Sequence, residues 1–230
     1  MIDVVYRACG SDITSSGGSR PLWFNKISCF NSFWSCVKTS SIPVNFHVIY
    51  DGPESSLLEH IKSFVSNITT VNFRSNEQSL DYCYEYMGNK TESDRIYLLE
   101  DDYLHKPGSI DLLVEGIDKF GLVTLQDHPD RYTRTDDIVI ADNIYITETS
   151  HWRTIESTTG TWAVYRDVFD RIKVKAKSFN RNDRDFFRSL ILEDNIRIFS
   201  PMPGYSTHVD TGFMSSFTDW EKVNELNRNC

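Results

Sequence analysis

The chain has no apolar run approaching the roughly 20 residues that a membrane-spanning helix needs. It is also short of basic charge: 24 Lys and Arg stand against 33 Asp and Glu, a formal net charge of -9. That balance argues against a protein that coats nucleic acid, and no stable nucleic-acid binding is expected. Only 5 cysteines are present, and no pair has metal-ligand spacing, so neither a disulfide scaffold nor a zinc module is indicated. The 11 glycines and 7 prolines in 230 residues exclude collagen-like and low-complexity classes. Residues 1–6 read as a strand rather than as a signal peptide, so a reducing, cytoplasmic setting is expected. What the chain does have is 40% hydrophobic and 13% aromatic residues, enough for a sizeable core in one large domain.

Strand and helix patterns alternate along the first half. A short strand at 2–6 runs into a polar loop at 10–19 that carries Gly17 and Gly18. Trp23, Ile27, Phe30, Trp34 and Val37 then recur on one helical face, predicting a helix with Pro21 in its first turn. Strands are predicted at 44–50, 68–73 and 95–99, with helices around 57–64 and 79–87. A helix at 109–120 and a strand at 122–125 continue the alternation. From 136 to 164 the pattern changes to extended segments rich in Thr, Ile and Tyr, expected as hairpins on a sheet edge. Helices near 167–175 and 183–192 and a strand at 196–199 precede the tail. With no repeat and no linker, the expectation is one α/β domain over residues 1–230, its mixed central sheet flanked by helices.

The chemistry concentrates after the strand at 95–99, where Glu100, Asp101 and Asp102 stand in a row. The triplet alone carries no weight, since 33 acids in 230 positions give about 0.7 such triplets by chance. Its position is what matters. Carboxylates just beyond a buried parallel strand lie at the carboxyl edge of the sheet, where open α/β folds bind ligands. Adjacent acids repel unless a cation neutralises them, and hard oxygen ligands suit Mn²⁺ or Mg²⁺. The alternative is a solvated acidic turn.

At this point the sequence resembles the nucleotide-sugar glycosyltransferases of the GT-A fold, in particular their broad family-2-like set. Val4, Val5, Tyr6 and Arg7 are similar to the first strand, which leads into the nucleotide pocket. Residues 48–52, ending in Asp51 and Gly52, are similar to the second strand, whose Asp contacts the base. Asn76 with Glu77 and Gln78 resembles the Asn-rich segment before the metal motif, and residues 96–102 resemble the strand and its Asp-x-Asp-type motif. The first acid is Glu rather than Asp, a departure that leaves the roles within the triplet open. The resemblance implies a Rossmann-like GT-A domain, with residues 1–103 as the nucleotide-sugar half and 104–230 as the acceptor half and tail. It implies that Asp102 ligates the metal, and that Glu100 or Asp101 holds the ribose or the metal's waters. It assigns the catalytic acid to Asp183, with Asp185 in reserve, and a second metal ligand to His208.

The implied activity is a single, inverting transfer from a UDP- or GDP-sugar to a hydroxyl on a glycan or other acceptor. A metal at Asp102 and His208 would stabilise the leaving diphosphate, and Asp183 would take the acceptor's proton. The segment 127–134 and the hairpins after it would exclude water. Each residue also has a structural reading. Asp183 can cap a helix, Asp51 can close a turn, and His208 can be an exposed loop residue. Arg7 faces a phosphate or pairs with an acid. His128, His151 and Trp152 lie where an acceptor pocket can form, with Trp152 either a stacking platform or a buried hairpin aromatic. Two competing functions remain: a sugar-phosphate nucleotidyltransferase, whose Gly-rich basic loop is only loosely echoed by Gly17, Gly18 and Arg20, and a non-catalytic nucleotide- or carbohydrate-binding module.

Overall fold

The computed structural model describes residues 1–10, 19–133, 143–179 and 182–228. Four strands form its first half: β1 (Ile2–Cys9), β2 (Val44–Asp51), β3 (Ile68–Val71) and β4 (Arg95–Glu100). They pair in parallel in the order β3-β2-β1-β4. The connections are α1 (Lys26–Thr39), α2 (Ser56–Lys62) and α3 (Asn76–Asn89). Parallel pairing sends every carboxyl end to one edge. There the register sets Arg7 beside Glu100 and Cys9 beside Asp51.

Beyond β4 the chain adds β5 (Tyr103–His105), α4 (Ser109–Phe120) and β6 (Leu122–Val123), then β7 (Ile144–Ile146), β8 (His151–Ile155) and β9 (Trp162–Tyr165). Next come α5 (Arg166–Phe179), α6 (Asp183–Asp194), β10 (Ile198–Met202), β11 (Ser206–His208) and α7 (Trp220–Leu226). Among the described residues these complete a nine-stranded mixed sheet, continuing from β4 as β9-β6-β10-β8-β7. The hairpin β7–β8 forms the edge, as the pattern predicts. β9 does not: it enters the interior between β4 and β6, antiparallel to both. Its Trp162, Ala163 and Val164 are fully buried, which an edge position would not allow. Residues 134–142 of the predicted hairpin region lie outside the described residues, as do 11–18 of the glycine-bearing loop and Cys230.

The sheet is covered on both faces. Tyr6, Phe46 and Tyr97 pack with Phe30 and Phe33 of α1, Leu58 and Ile61 of α2, and Leu113 and Ile117 of α4. Val5, Ile96 and Leu98 pack with Leu80 and Cys83 of α3, Phe169 of α5 and Phe187 of α6. The strand period of two thus divides β1 between two cores. The four described cysteines are free thiols, three of them buried. No helix among the described residues is long and apolar enough to cross a membrane.

Two details of the pattern are corrected. α1 starts at Lys26 rather than near Pro21, because the Asn25 side chain accepts from the backbone N–H groups of Ile27 and Ser28 and caps the helix there. α3 starts earlier than predicted, at Asn76, since Ser75 caps it. The Asn-rich segment is therefore the first turn of a helix, and its backbone is fixed.

Candidate functional site

A cavity of about 1020 Å³ opens at the carboxyl ends of β1, β2 and β4. Asp51, Asn76, Glu100, Asp101 and Asp102 line it, together with Arg7, Asp183 and His208. Eight of the ten residues that the resemblance gives a donor, metal or catalytic place thus meet here. Two do not. Tyr6 points into the core on the other face of β1 from Arg7, edge-on to Phe30 and tilted against Phe46. Burial, reinforced by the charge of Asp101, raises its phenol. Asp185 is exposed and accepts from the Asn182 side-chain amide at 2.6 Å.

The three acids do not face one another unneutralised. Each has a cation supplied by the chain itself. Glu100 pairs with Arg7 at 2.6 Å, Asp101 with Lys26 at 2.9 Å and Asp102 with Arg20 at 2.5 Å. Repulsion within the triplet is therefore offset without a metal, which corrects the electrostatic premise used above. Arg7 is held in turn by Ser79 Oγ at 3.2 Å and by the Asn76 carbonyl at 3.0 Å, and it also donates to the Asn76 side chain. Asn76 is thus an orienter of Arg7. Asp51 Oδ1 accepts from the Phe73 N–H at 2.8 Å, tying the end of β2 to the turn that leads into α3.

Asp101 and Asp102 have different environments. Asp101 Oδ2 accepts from the Cys9 N–H at 2.7 Å as well as from Lys26. Burial raises its carboxyl, with Lys26 opposing, and burial likewise raises Glu100 against the pull of Arg7. For Asp102 burial is overcome: His208 and Arg20 hold the carboxyl well below the usual range. Burial alone would lower His208, but the Asp102 charge wins and raises it. A two-stranded sheet creates this pair. β11 runs antiparallel to β5 and sets His208 opposite Tyr103, next to Asp102 in the chain, so His208 Nε2 lies 3.0 Å from Asp102 Oδ2.

Among the described residues no cluster of three or more His, Cys, Asp or Glu is arranged to hold a metal. A smaller donor set exists. Asp102 Oδ1 is buried with no hydrogen-bond partner, and the His208 imidazole stands beside the same carboxylate. One carboxylate and one imidazole, with remaining positions left to water and phosphate, fit the habits of Mn²⁺ or Mg²⁺.

Asp183 is the first residue of α6, but the cap is Asn182, whose side chain accepts from the Asp185 N–H. The capping alternative for Asp183 therefore falls away, and its place in the cavity wall stands. Trp152 is fully buried and donates Nε1–H to Thr147 Oγ1 at 2.9 Å, so the hairpin aromatic reading holds rather than the sugar platform. His47 is a core residue, 3.0 Å from Asp3.

The sequence reading missed Lys26 and Gly160. Lys26 gave no signal, since a lysine opening a helix is ordinary. Gly160 precedes β9 and presses on Glu100, where an added Cβ would lie 2.6 Å from the carboxylate. Only glycine leaves room for the pair with Arg7.

No family model matches this chain, and no curated protein matches it in sequence. Solved structures do. A CMP:2-keto-3-deoxy-manno-octonic acid synthetase in complex with CTP superposes with a TM-score of 0.54 at 14% identity, over 98% of this chain and 97% of that one. A 4-diphosphocytidyl-2C-methyl-D-erythritol synthase from Anaerococcus prevotii gives 0.52 at 11% identity, over 99% and 96%. TarS from S. aureus gives 0.51 at 10% identity over 86% of this chain, which spans 34% of TarS. These likenesses establish the fold, a GT-A-type, Rossmann-like mixed α/β domain.

Proposed function

We propose that this chain is a nucleotide-sugar glycosyltransferase that moves one sugar to a hydroxyl acceptor with inversion. The observation that carries the reading is the cavity itself. It gathers a low-pKa carboxylate beside a histidine, four Lys and Arg side chains, and a separate carboxylate on α6 at the carboxyl edge of a parallel sheet.

Asp102 and His208 would hold Mn²⁺ or Mg²⁺, which supplies charge stabilisation to a departing diphosphate. Arg20 and Lys26 add positive charge on the same side. Asp51, at the end of β2, would meet the base, and Arg7 with Asn76 and Glu100 would form the floor under the ribose. Asp183 enters from α6 and would accept the acceptor's proton as general base. A base opposite the leaving group gives inversion at the anomeric carbon.

A second reading is favoured by one observation: Arg20 and Lys26, which follow the glycine-bearing loop, both reach the acids in the cavity. Two basic groups there suit a triphosphate, as in a sugar-phosphate nucleotidyltransferase, and the CTP-bound synthetase shares the fold over nearly the whole chain. The test is to incubate wild type and Asp102→Ala with UDP- and GDP-sugars plus Mn²⁺ and to follow donor cleavage. Mn²⁺-dependent cleavage that Asp102→Ala abolishes supports the transferase. Pyrophosphate released from a nucleoside triphosphate and a sugar phosphate would move the assignment to the second reading. Nucleotide binding without turnover of either kind would leave a binding module.

A further inference from the structure

Of the chain's own cations at the acidic triplet, Arg20 is incompletely housed. Arg7 donates from Nε to Ser79, from Nη1 to Glu100 and from Nη2 to the Asn76 carbonyl, so all three of its nitrogens are engaged. Arg20 differs. Its Nη2 donates to Asp102 Oδ2 and its Nη1 to the Val209 carbonyl, but among the described residues its buried Nε has no hydrogen-bond partner. Asp102 is the counterpart: Oδ2 faces both Arg20 and His208, and buried Oδ1 has no partner there either. The pair thus strands one donor and one acceptor, in two residues that both line the cavity. We infer that Arg20 is a displaceable stand-in for a divalent ion: the ion takes its place at Asp102 and His208, and the freed guanidinium turns to the nucleotide's diphosphate. This rests on the nucleotide-sugar reading and adds the residue that links its two ligands.

The exchange follows from where the guanidinium sits. Nη2 is 2.5 Å from Asp102 Oδ2 and Nη1 is 3.4 Å from His208 Nε2, so the fork covers both candidate ion ligands. Those two ligand atoms are 3.0 Å apart, which suits adjacent positions on an octahedral ion with bonds of about 2.1 Å. An ion held by both atoms cannot share the place with the guanidinium, because two cations there repel and compete for the same lone pairs.

The side chain can leave without moving the fold. The Ser19 carbonyl accepts from the Thr211 N–H at 2.8 Å and the Pro21 carbonyl from the Phe24 N–H at 2.9 Å, which fixes the backbone on both sides of Arg20. The Phe24 ring lies against the guanidinium, its centroid 4.6 Å from Arg20 Cζ, a flat apolar surface beside a planar cation. A phosphate supplies what the present position lacks, since its oxygens accept from a guanidinium two at a time and so engage Nε. Departure leaves Asp102 compensated when the ion replaces Arg20, so the two ligands assist one another.

The experiment compares wild type, Arg20→Gln and Arg20→Lys as full chains. Mn²⁺ binding without nucleotide is read from the free-ion EPR signal, and binding of UDP or GDP at saturating Mn²⁺ by calorimetry. In Arg20→Gln, Mn²⁺ should bind about tenfold tighter, because no charge-assisted hydrogen bond has to be displaced, and the nucleoside diphosphate about tenfold weaker. Opposite signs from one residue are the signature; a merely structural arginine would weaken both. Arg20→Lys keeps the charge without the fork and should show both changes in smaller measure. Thermal melts report folding, and Arg20→Lys carries the comparison where Arg20→Gln does not fold. Unchanged or weaker Mn²⁺ binding in the folded variants would overturn the exchange, with the ion elsewhere or on Oδ1 beside an undisturbed arginine. Unchanged nucleotide affinity would overturn the turn toward phosphate. Tighter Mn²⁺ binding with no nucleotide bound even by wild type would keep the stand-in at Asp102 and refute the nucleotide-sugar reading.

Discussion

Gly160→Ala tests the geometry of the cavity floor more sharply than removal of any charged group. The new methyl carbon would lie 2.6 Å from Glu100 Cδ and Oε2 and 2.7 Å from Oε1, where ordinary contact begins at 3.4 Å. The carboxylate must therefore retreat by about 0.8 Å or the strand must move. The backbone at Glu100 is held, because its N–H donates to Thr161 Oγ1 at 3.0 Å. The side chain has to yield, which stretches its 2.6 Å pair with Arg7. Breaking a fully buried pair outright costs about 3–5 kcal/mol; this pair is partly buried, and its displacement with both partners present should cost about 1–3 kcal/mol. Urea denaturation of wild type, Gly160→Ala, Glu100→Ala and the double variant reads this directly. In the Glu100→Ala background the glycine substitution should cost almost nothing, giving a strongly non-additive cycle. UDP-induced thermal shifts should weaken in Gly160→Ala as Arg7 loses its orientation. Wild-type stability in Gly160→Ala, or an equal cost in both backgrounds, would refute the reasoning.

His105 is 1% exposed, and burial lowers its imidazole from 6.5 to about 3, with Tyr97 as its partner at 2.9 Å. The unfolded chain therefore takes up the proton first: the stability is fully present above pH 6.5 and is lost as pH falls toward 3, reaching about 2 kcal/mol at pH 5. Urea midpoints at pH 7.5 and 5.0 should show that loss in wild type and not in His105→Gln; equal losses would refute it. Asp3, also fully buried, accepts from Asn45 at 2.6 Å, His47 at 3.0 Å and the N–H groups of Glu92 and Ser93 at 2.8 and 2.6 Å. Burial would raise its carboxyl, but His47, Ser93 and Glu92 hold it far below the usual range, so its contribution is full above the ordinary carboxylate range and is lost progressively as the pH falls below it. Asp3→Asn should cost about 2–4 kcal/mol in urea denaturation, and a cost within error of zero would contradict the assignment. Gly116→Ala would set a methyl carbon 2.8 Å from Trp152 Cζ2, and overpacking there should cost about 1–3 kcal/mol by thermal denaturation.

Much of the site was legible because it follows from one strand. The buried run at 96–99 places Glu100, Asp101 and Asp102 at a sheet edge, and parallel pairing then brings Arg7 and Asp51 beside them. Strand periodicity also argues against Tyr6 and Arg7 sharing a pocket, since neighbours on a strand face opposite sides. The three-residue strands β5 and β11 were not legible, because segments so short carry no periodicity. Yet their register is what brings His208 to Asp102. The choice between platform and buried aromatic at Trp152 was settled from afar: Gly116, a helix away, makes the room that buries it, and no local pattern reports such long-range fit.

The acidic cluster is where the structure changes the physical argument most. A row of carboxylates suggests a waiting cation, but that inference holds only when the chain provides no cation of its own. Here Arg7, Lys26 and Arg20 each take one acid, so the triplet is compensated by the chain itself. A diphosphate bound as proposed would compete with Asp101 and Asp102 for Lys26 and Arg20. Each cation drawn toward phosphate leaves a buried carboxylate less compensated, and the cost of that exposure falls when a divalent ion takes the place of the guanidinium at Asp102. The ligands proposed for this site should therefore favour each other's binding, by an equal factor in either order. The balance that hides the site in the resting protein is what would couple its ligands. Asp102, with one oxygen engaged and one buried without a partner, is the residue through which that coupling would run.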